Sequence, residues 1–216
     1  MRKSTEEFSE LVSELGDLVI DWSFSDWCRD WFRPYLLLVA RFLGRLGLSP
    51  NMVSIIGLIA YGASGLVLGI GHPAAAGWML AIFGPLDAVD GLLAREQGLA
   101  SPFGAFLDST VDRYAEFFLF LGLMAYLMIH RQGGLIEAAL VLSAMTGSLL
   151  VSYTRARAEA LGFSCKVGVL TRFERIFILA VGFIFGWIYP VLVILAVFTH
   201  ITALQRIFHV YRQSSD

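Results

Sequence analysis

Apolar residues fall in long, nearly uncharged blocks separated by short polar or Gly/Pro breaks. A bilayer-crossing helix needs about 20 mostly apolar residues. Six blocks qualify, at roughly 52–71, 74–94, 103–129, 134–154, 173–188 and 190–208. The breaks between them are Gly71-His72-Pro73, Gly98 to Pro102, Arg131 to Gly134, Gly162 to Gly168, and Tyr189-Pro190. Barrel strands would alternate in polarity over about ten residues, and these blocks do not. The pattern predicts an all-α polytopic membrane protein, a six-helix transmembrane bundle.

Ahead of the bundle the pattern changes. Phe8, Leu11, Val12, Leu15, Leu18, Val19 and Trp22 keep helical spacing. Ser4 and Glu7 match a capping box. Trp22, Trp27, Trp31 and Phe32 suit the headgroup region. Residues 4–32 therefore read as an N-terminal amphipathic surface helix, lying on the membrane or packed on a partner protomer. Its polar face is acidic, so apolar insertion must hold it rather than attraction to anionic lipid. Residues 34–48 open at Pro34 and carry Arg41 and Arg45. They read as a surface or partly inserted helix. The expected organisation is 1–48, N-terminal amphipathic and juxtamembrane helices, then 49–216, a six-span catalytic domain. Met1, Arg2 and Lys3 are followed by acidic residues rather than an apolar core, so no signal peptide is expected.

Composition agrees. Apolar residues make up 57% and charged residues 16%, where soluble domains run near ~45–50% and ~25%. Mean hydropathy is +0.70. These values exclude disorder, a coiled coil, a collagen-like chain and a secreted disulfide scaffold. A net charge of −2 offers no footprint for nucleic acid. Cys28 and Cys165 match no zinc or redox spacing and read as incidental thiols. With six spans both termini share a side. That side collects Arg155, Arg157, Lys166, Arg172, Arg206 and Arg212, and the other holds Arg131 alone. The positive-inside rule makes the basic side cytoplasmic, with the protein in the cell (inner or plasma) membrane.

Four aspartates interrupt the apolar blocks. Asp87 and Asp90 lie near the end of the second, and Asp108 and Asp112 near the start of the third. Carboxylates at membrane depth are costly and mark function. Spacings of three and four put each pair on one helix face. Gly98 breaks the connection, Ser101 is the expected N-cap, and Pro102 suits the first helical position. Two antiparallel helices then bring Asp90 level with Asp108, and Asp87 level with Asp112 one turn deeper. Four like charges need compensation. Either some stay protonated, as in a proton relay or cation transporter, or hard divalent cations bind. Two such ions would orient and stabilise a phosphoryl or phosphodiester displacement.

The run Asp87-Ala88-Val89-Asp90-Gly91-Leu92-Leu93-Ala94-Arg95, eight residues, then Gly104 to Asp112 resembles the signature of the CDP-alcohol phosphotransferase family, D-x2-D-G-x2-A-R-x8-G-x3-D-x3-D. All eight fixed positions match, over 26 residues. The Leu48-Ser49-Pro50-Asn51 lead-in and the six-span layout also resemble the family. The resemblance implies transfer of a substituted phosphate from a CDP-linked lipid to an acceptor hydroxyl, with release of CMP. It implies two divalent cations, Mg²⁺ or Mn²⁺, on Asp87, Asp90, Asp108 and Asp112. Asp112 would also be the general base. Asp90, Gly91, Ala94, Arg95 and Gly104 would form the CDP site, and the protein would be a homodimer.

Ser152-Tyr153-Thr154-Arg155-Ala156-Arg157-Ala158-Glu159 and Arg172-Phe173-Glu174-Arg175 are similar to the inositol-phosphate-accepting members, the phosphatidylinositol-phosphate and archaetidylinositol-phosphate synthases. Ser152, Arg155 and Arg175 would then bind the phosphate of a phosphorylated alcohol, with Arg206 or Arg212 as a further partner. Arg155, Arg172 and Arg175 are expected at the cytoplasmic mouth. The acceptor implied is inositol 1-phosphate. Glycerol 3-phosphate or another alcohol is the alternative within the class.

Overall fold

The computed structural model describes residues 24–214, with side chains from Trp31 onward, so the expected surface helix over residues 4–32 lies largely outside the described residues. The described chain is all-helical and without strands. Its helices are α1 (Phe24–Arg45), α2 (Pro50–Gly69), α3 (Pro73–Phe83), α4 (Leu86–Glu96), α5 (Pro102–His130), α6 (Leu135–Ala160), α7 (Arg172–Phe185) and α8 (Ile188–Gln213).

Among the described residues four stretches are long and apolar enough to cross a membrane: Pro50–Gly69, Pro73–Glu96, Leu135–Ala160 and Ile188–Gln213. The other two expected spans differ for physical reasons. Helix α5 has 29 residues, but its first turns carry Asp108, Asp112, Arg113 and Glu116. Helix α7 has only 14 residues, about 21 Å at ~1.5 Å per residue.

Several boundaries move from their expected positions. Pro34 does not start a helix; it sits inside α1, which begins at Phe24. The second span bends at Gly84-Pro85, because Pro85 has no N–H for the helical ladder and its ring crowds the preceding turn. The last break falls at Gly186 rather than Tyr189-Pro190. Gly186 takes the left-handed conformation (φ 72°) and lets the Trp187 N–H reach the Gly182 carbonyl at 2.7 Å. Pro190 then lies in the first turn of α8, where its missing N–H costs nothing.

The main core joins α2, α3, α5, α6, α7 and α8 through residues such as Leu68, Leu80, Phe120, Leu123, Phe183 and Leu195. Helices α2 and α5 cross where Gly65 and Gly122 meet. A Cβ on either would run into a carbonyl of the other helix, so glycine permits the approach. A smaller cluster of Ala40, Val53, Val89 and Leu93 fastens α1 and α4 onto the start of α2. The opposite face of α1 exposes Trp31, Tyr35, Leu38, Phe42 and Leu46 at helical spacing. Arg41 grips Glu96 at the end of α4 with Nε at 3.1 Å and Nη2 at 3.3 Å.

Candidate active site

The turn between α4 and α5 forms as its residues dictate. Gly98 takes φ 66°, the Leu99 N–H returns to the Ala94 carbonyl at 2.9 Å, and Ser101 Oγ caps the Gly104 N–H at 3.1 Å. The two helices nonetheless scarcely touch through their backbones. Both pack against α2 instead. Their aspartates meet across a cleft whose floor is α2, with Val53, Ser54, Gly57, Leu58 and Tyr61 beneath Asp87, Asp90, Asp108 and Asp112.

The aspartates converge as expected. The Asp87 and Asp112 carboxylates come together with that of Asp108, and Asp90 lines the same cleft. Oxygens of Asp87, Asp108 and Asp112 lie within 4.8 Å of one another. Asp90 is buried and held from two sides. Ser54 Oγ donates to its Oδ2 at 2.5 Å, and the Gly91 N–H approaches its Oδ1 at 2.5 Å. An all-carboxylate cluster of this compactness fits a hard divalent cation.

Gly91, Ala94 and Arg95 follow on α4. Gly91 and Ala94 are half-buried and Arg95 is exposed. The Arg95 guanidinium folds back to 3.7 Å from where a Cβ of Gly91 would sit. Across the cleft mouth, Gly104 faces Asn51 Oδ1 at 3.5 Å from the equivalent point. The lead-in to α2 thus adjoins the start of α5. Ser49 caps α2 through the Met52 N–H at 3.3 Å, and Pro50 occupies its first turn.

A third wall comes from residues far along the chain. The loop over 161–171 is pinned to α8: Gln213 Nε2 donates to the Ser164 carbonyl at 2.7 Å, the Leu170 N–H to Thr202 Oγ1 at 3.1 Å, and Arg206 Nε to the Val167 carbonyl at 2.9 Å. That anchoring brings Arg172, the first residue of α7, into the cleft. Its guanidinium pairs with Asp87 Oδ2, lies 3.0 Å from Asp112 Oδ1, and stands 5.9 Å above the Tyr61 ring centre. Glu116, one turn past Asp112, takes Arg175 Nη2 at 2.6 Å. The placement of Arg175 differs from the expected open mouth. The side chain is enclosed, with Nη1 on the Leu170 carbonyl at 3.3 Å. Arg155 faces outward and pairs with Glu159 at 2.8 Å. Ser152 is half-buried on the same helix, beside Val151, whose carbonyl accepts from Arg206 Nη1.

Sequence spacing located the aspartates and missed Ser54, Tyr61 and Glu116 as neighbours of the cluster. The one signal on the chain was Glu116, which extends the Asp108, Asp112 series by another four residues.

The CDP-alcohol phosphatidyltransferase family model matches residues 47–205. The chain is 33% identical to the archaetidylinositol phosphate synthase of Pyrococcus horikoshii over 171 residues, covering 79% of this chain and 87% of that one. The crystal structure of the Mycobacterium tuberculosis phosphatidylinositol phosphate synthase with CDP-DAG bound superposes with a TM-score of 0.73. Identity there is 33%, over 82% of this chain and 93% of that one. The same enzyme in complex with manganese and citrate gives a TM-score of 0.71 at 33% identity, covering 82% and 88%.

Proposed function

The chain belongs to the CDP-alcohol phosphatidyltransferase family, and we propose that it moves a phosphatidyl-type group from a CDP-linked lipid to inositol 1-phosphate, releasing CMP. The observation that carries this reading is the convergence of Asp87, Asp90, Asp108 and Asp112 on one cleft that Arg172 also lines. The four aspartates would hold two divalent cations, Mg²⁺ or Mn²⁺. When bound, such ions supply charge neutralisation on the pyrophosphate and at the leaving CMP.

The chain's own residues do the rest. Asp112 accepts the proton of the acceptor hydroxyl. The acceptor oxygen forms a bond to the lipid-bearing phosphorus, the bond from that phosphorus to the bridging oxygen breaks, and CMP leaves with the electron pair. The role falls to Asp112 as the last aspartate of the family signature; it pairs with Arg172 here, while Asp90 is committed to Ser54 and Gly91. Gly91, Ala94 and Gly104 keep the cleft wall low for the cytidine diphosphate, and Arg95 reaches its phosphates. Ser152, Arg155 and Arg206 receive the acceptor's phosphate, for which forked guanidinium hydrogen bonds are suited. Arg175 is enclosed and fixes Glu116 instead.

The same reading places six spans in the membrane, with α5 and α7 completing the four long apolar stretches, and the cleft and both termini on the cytoplasmic side. Short α7 is covered by its neighbours α3 and α8, and α5 by α2, so their polar residues face protein. Purified protein given CDP-lipid, Mg²⁺ and a panel of alcohols tests the assignment. CMP release is expected with inositol 1-phosphate. Faster release with glycerol 3-phosphate replaces the acceptor, and no release with any phosphorylated alcohol removes the reading.

A further inference from the structure

Arg172 and a divalent cation lay claim to the same carboxylates. The guanidinium reaches Asp87 Oδ2, and its Nη2 stands 3.0 Å from Asp112 Oδ1. These carboxylates, with Asp108, are the compact set described above. A planar monovalent cation thus holds one side of a cluster whose chemistry suits a divalent one. Its third nitrogen, Nε, faces Glu116 Oε1 at 3.6 Å. That is beyond hydrogen-bonding distance, and Nε has no other hydrogen-bond partner among the described residues. Glu116 is itself fixed by Arg175 at 2.6 Å. It offers Arg172 an acidic acceptor within a short swing of the side chain. Tyr61 lies under the guanidinium.

We propose that Arg172 is a built-in counter-ion of the aspartate cluster, displaced onto Glu116 when a divalent cation takes Asp87 and Asp112. This rests on the reading of those aspartates as cation ligands. Without a positive partner the carboxylates repel one another and are costly to bury. Arg172 removes that cost before a cation arrives and opposes the cation's entry by its charge. Glu116 lowers the opposition by accepting the displaced guanidinium. The pair Arg172–Glu116 therefore sets cation affinity without either residue being a ligand.

Mn²⁺ binding to the purified full-length protein, read by electron paramagnetic resonance without substrate, tests this. Arg172→Gln should bind Mn²⁺ roughly tenfold tighter, since removing a unit charge a few ångströms away relieves direct repulsion. Arg172→Lys keeps the charge but loses the planar fork that spans both carboxylates, and should lie between the two. The lysine variant carries the test if a thermal melt in EDTA shows the glutamine variant unfolded. Glu116→Gln should weaken binding several-fold in the wild-type background and have no effect alongside Arg172→Gln. Unchanged or weaker Mn²⁺ binding by the Arg172 variants overturns the inference, as does an equal Glu116→Gln effect in both backgrounds. Binding by wild type that Asp108→Asn abolishes shows that the cation reading itself stands. Absence of Mn²⁺ binding by wild type and all variants removes that reading, and the inference with it.

Discussion

Ser54 Oγ lies 2.5 Å from Asp90 Oδ2 and donates its hydrogen to it, tying the first long span to the aspartate helix. The bond is buried, and it is among the stronger side-chain hydrogen bonds when a bound cation keeps the carboxylate ionised. It also orients a carboxylate of the cluster from a helix that carries none of the signature residues. Ser54→Ala should raise the Mg²⁺ concentration needed for half-maximal CMP release by about 10–100-fold, the usual cost of losing a partner that orients a metal ligand. A titration of activity against Mg²⁺ checks it. An unchanged midpoint would show that Asp90 does not depend on Ser54 for its orientation.

Asp112→Asn should lower turnover by about 10²–10⁴-fold, the range for loss of a general base. The variant should still bind CDP-lipid, because Asp90 and the Gly91–Arg95 wall remain. Single-turnover CMP release and equilibrium binding of the CDP-lipid separate the two effects. Normal turnover would exclude Asp112 as the base.

Arg155 is exposed and, among the described residues, its only close ion pair is to Glu159 on the same helix face. Arg155→Ala should leave folding intact and raise the KM for inositol 1-phosphate by about 10–100-fold, equivalent to one hydrogen bond to a charged group at ~1.5–3 kcal/mol. The KM for CDP-lipid should not move. Equal changes in both constants would assign Arg155 to a different task.

Arg175 behaves differently because it is enclosed. Arg175→Ala leaves Glu116 buried beside a partner 3.6 Å away, and loss of one member of a buried pair costs about 3–5 kcal/mol. The melting temperature in detergent should fall sharply. Arg175→Met with Glu116→Gln should recover much of the loss, since both uncompensated charges are then gone. A melting temperature unaffected by Arg175→Ala would contradict the enclosed placement.

Cys165 is buried in the loop that precedes α7, and burial pushes its thiol above the ordinary range. The thiolate is the reactive form, so a raised value means fewer thiolates at neutral pH. Cys165 in a Cys28→Ser background should label slowly with maleimide at pH 7 and rapidly once the fold is opened with denaturing detergent. Fast labelling of the native protein would show the loop detached from α8.

The aspartate pairs were legible in the sequence because helical spacing and a short, well-marked turn are local properties. Ser101, Pro102 and Gly98 settle the turn, and the intervals from Asp87 to Asp112 settle which carboxylates share a face. The same locality explains the misplaced boundaries. Pro190 looked like a break, yet a proline in a first turn is harmless, and Gly186 did the breaking four residues earlier. Pro34 likewise looked like a helix start, although one missing hydrogen bond does not end a helix packed along its length.

Sequence alone determined that this chain is helical, apolar enough for a membrane, and armed with four carboxylates at commensurate spacing, because those properties reside in short stretches of chain. Only the tertiary structure decided that α2 would lie beneath the aspartates, that Ser54 would hold one of them, and that Arg172 rather than Arg175 would stand among them. Those arrangements depend on which helices pack together across a hundred residues. Arg172 and Arg175 have the same local character, three positions apart on one helix, and the packing of α7 against its neighbours chose between them.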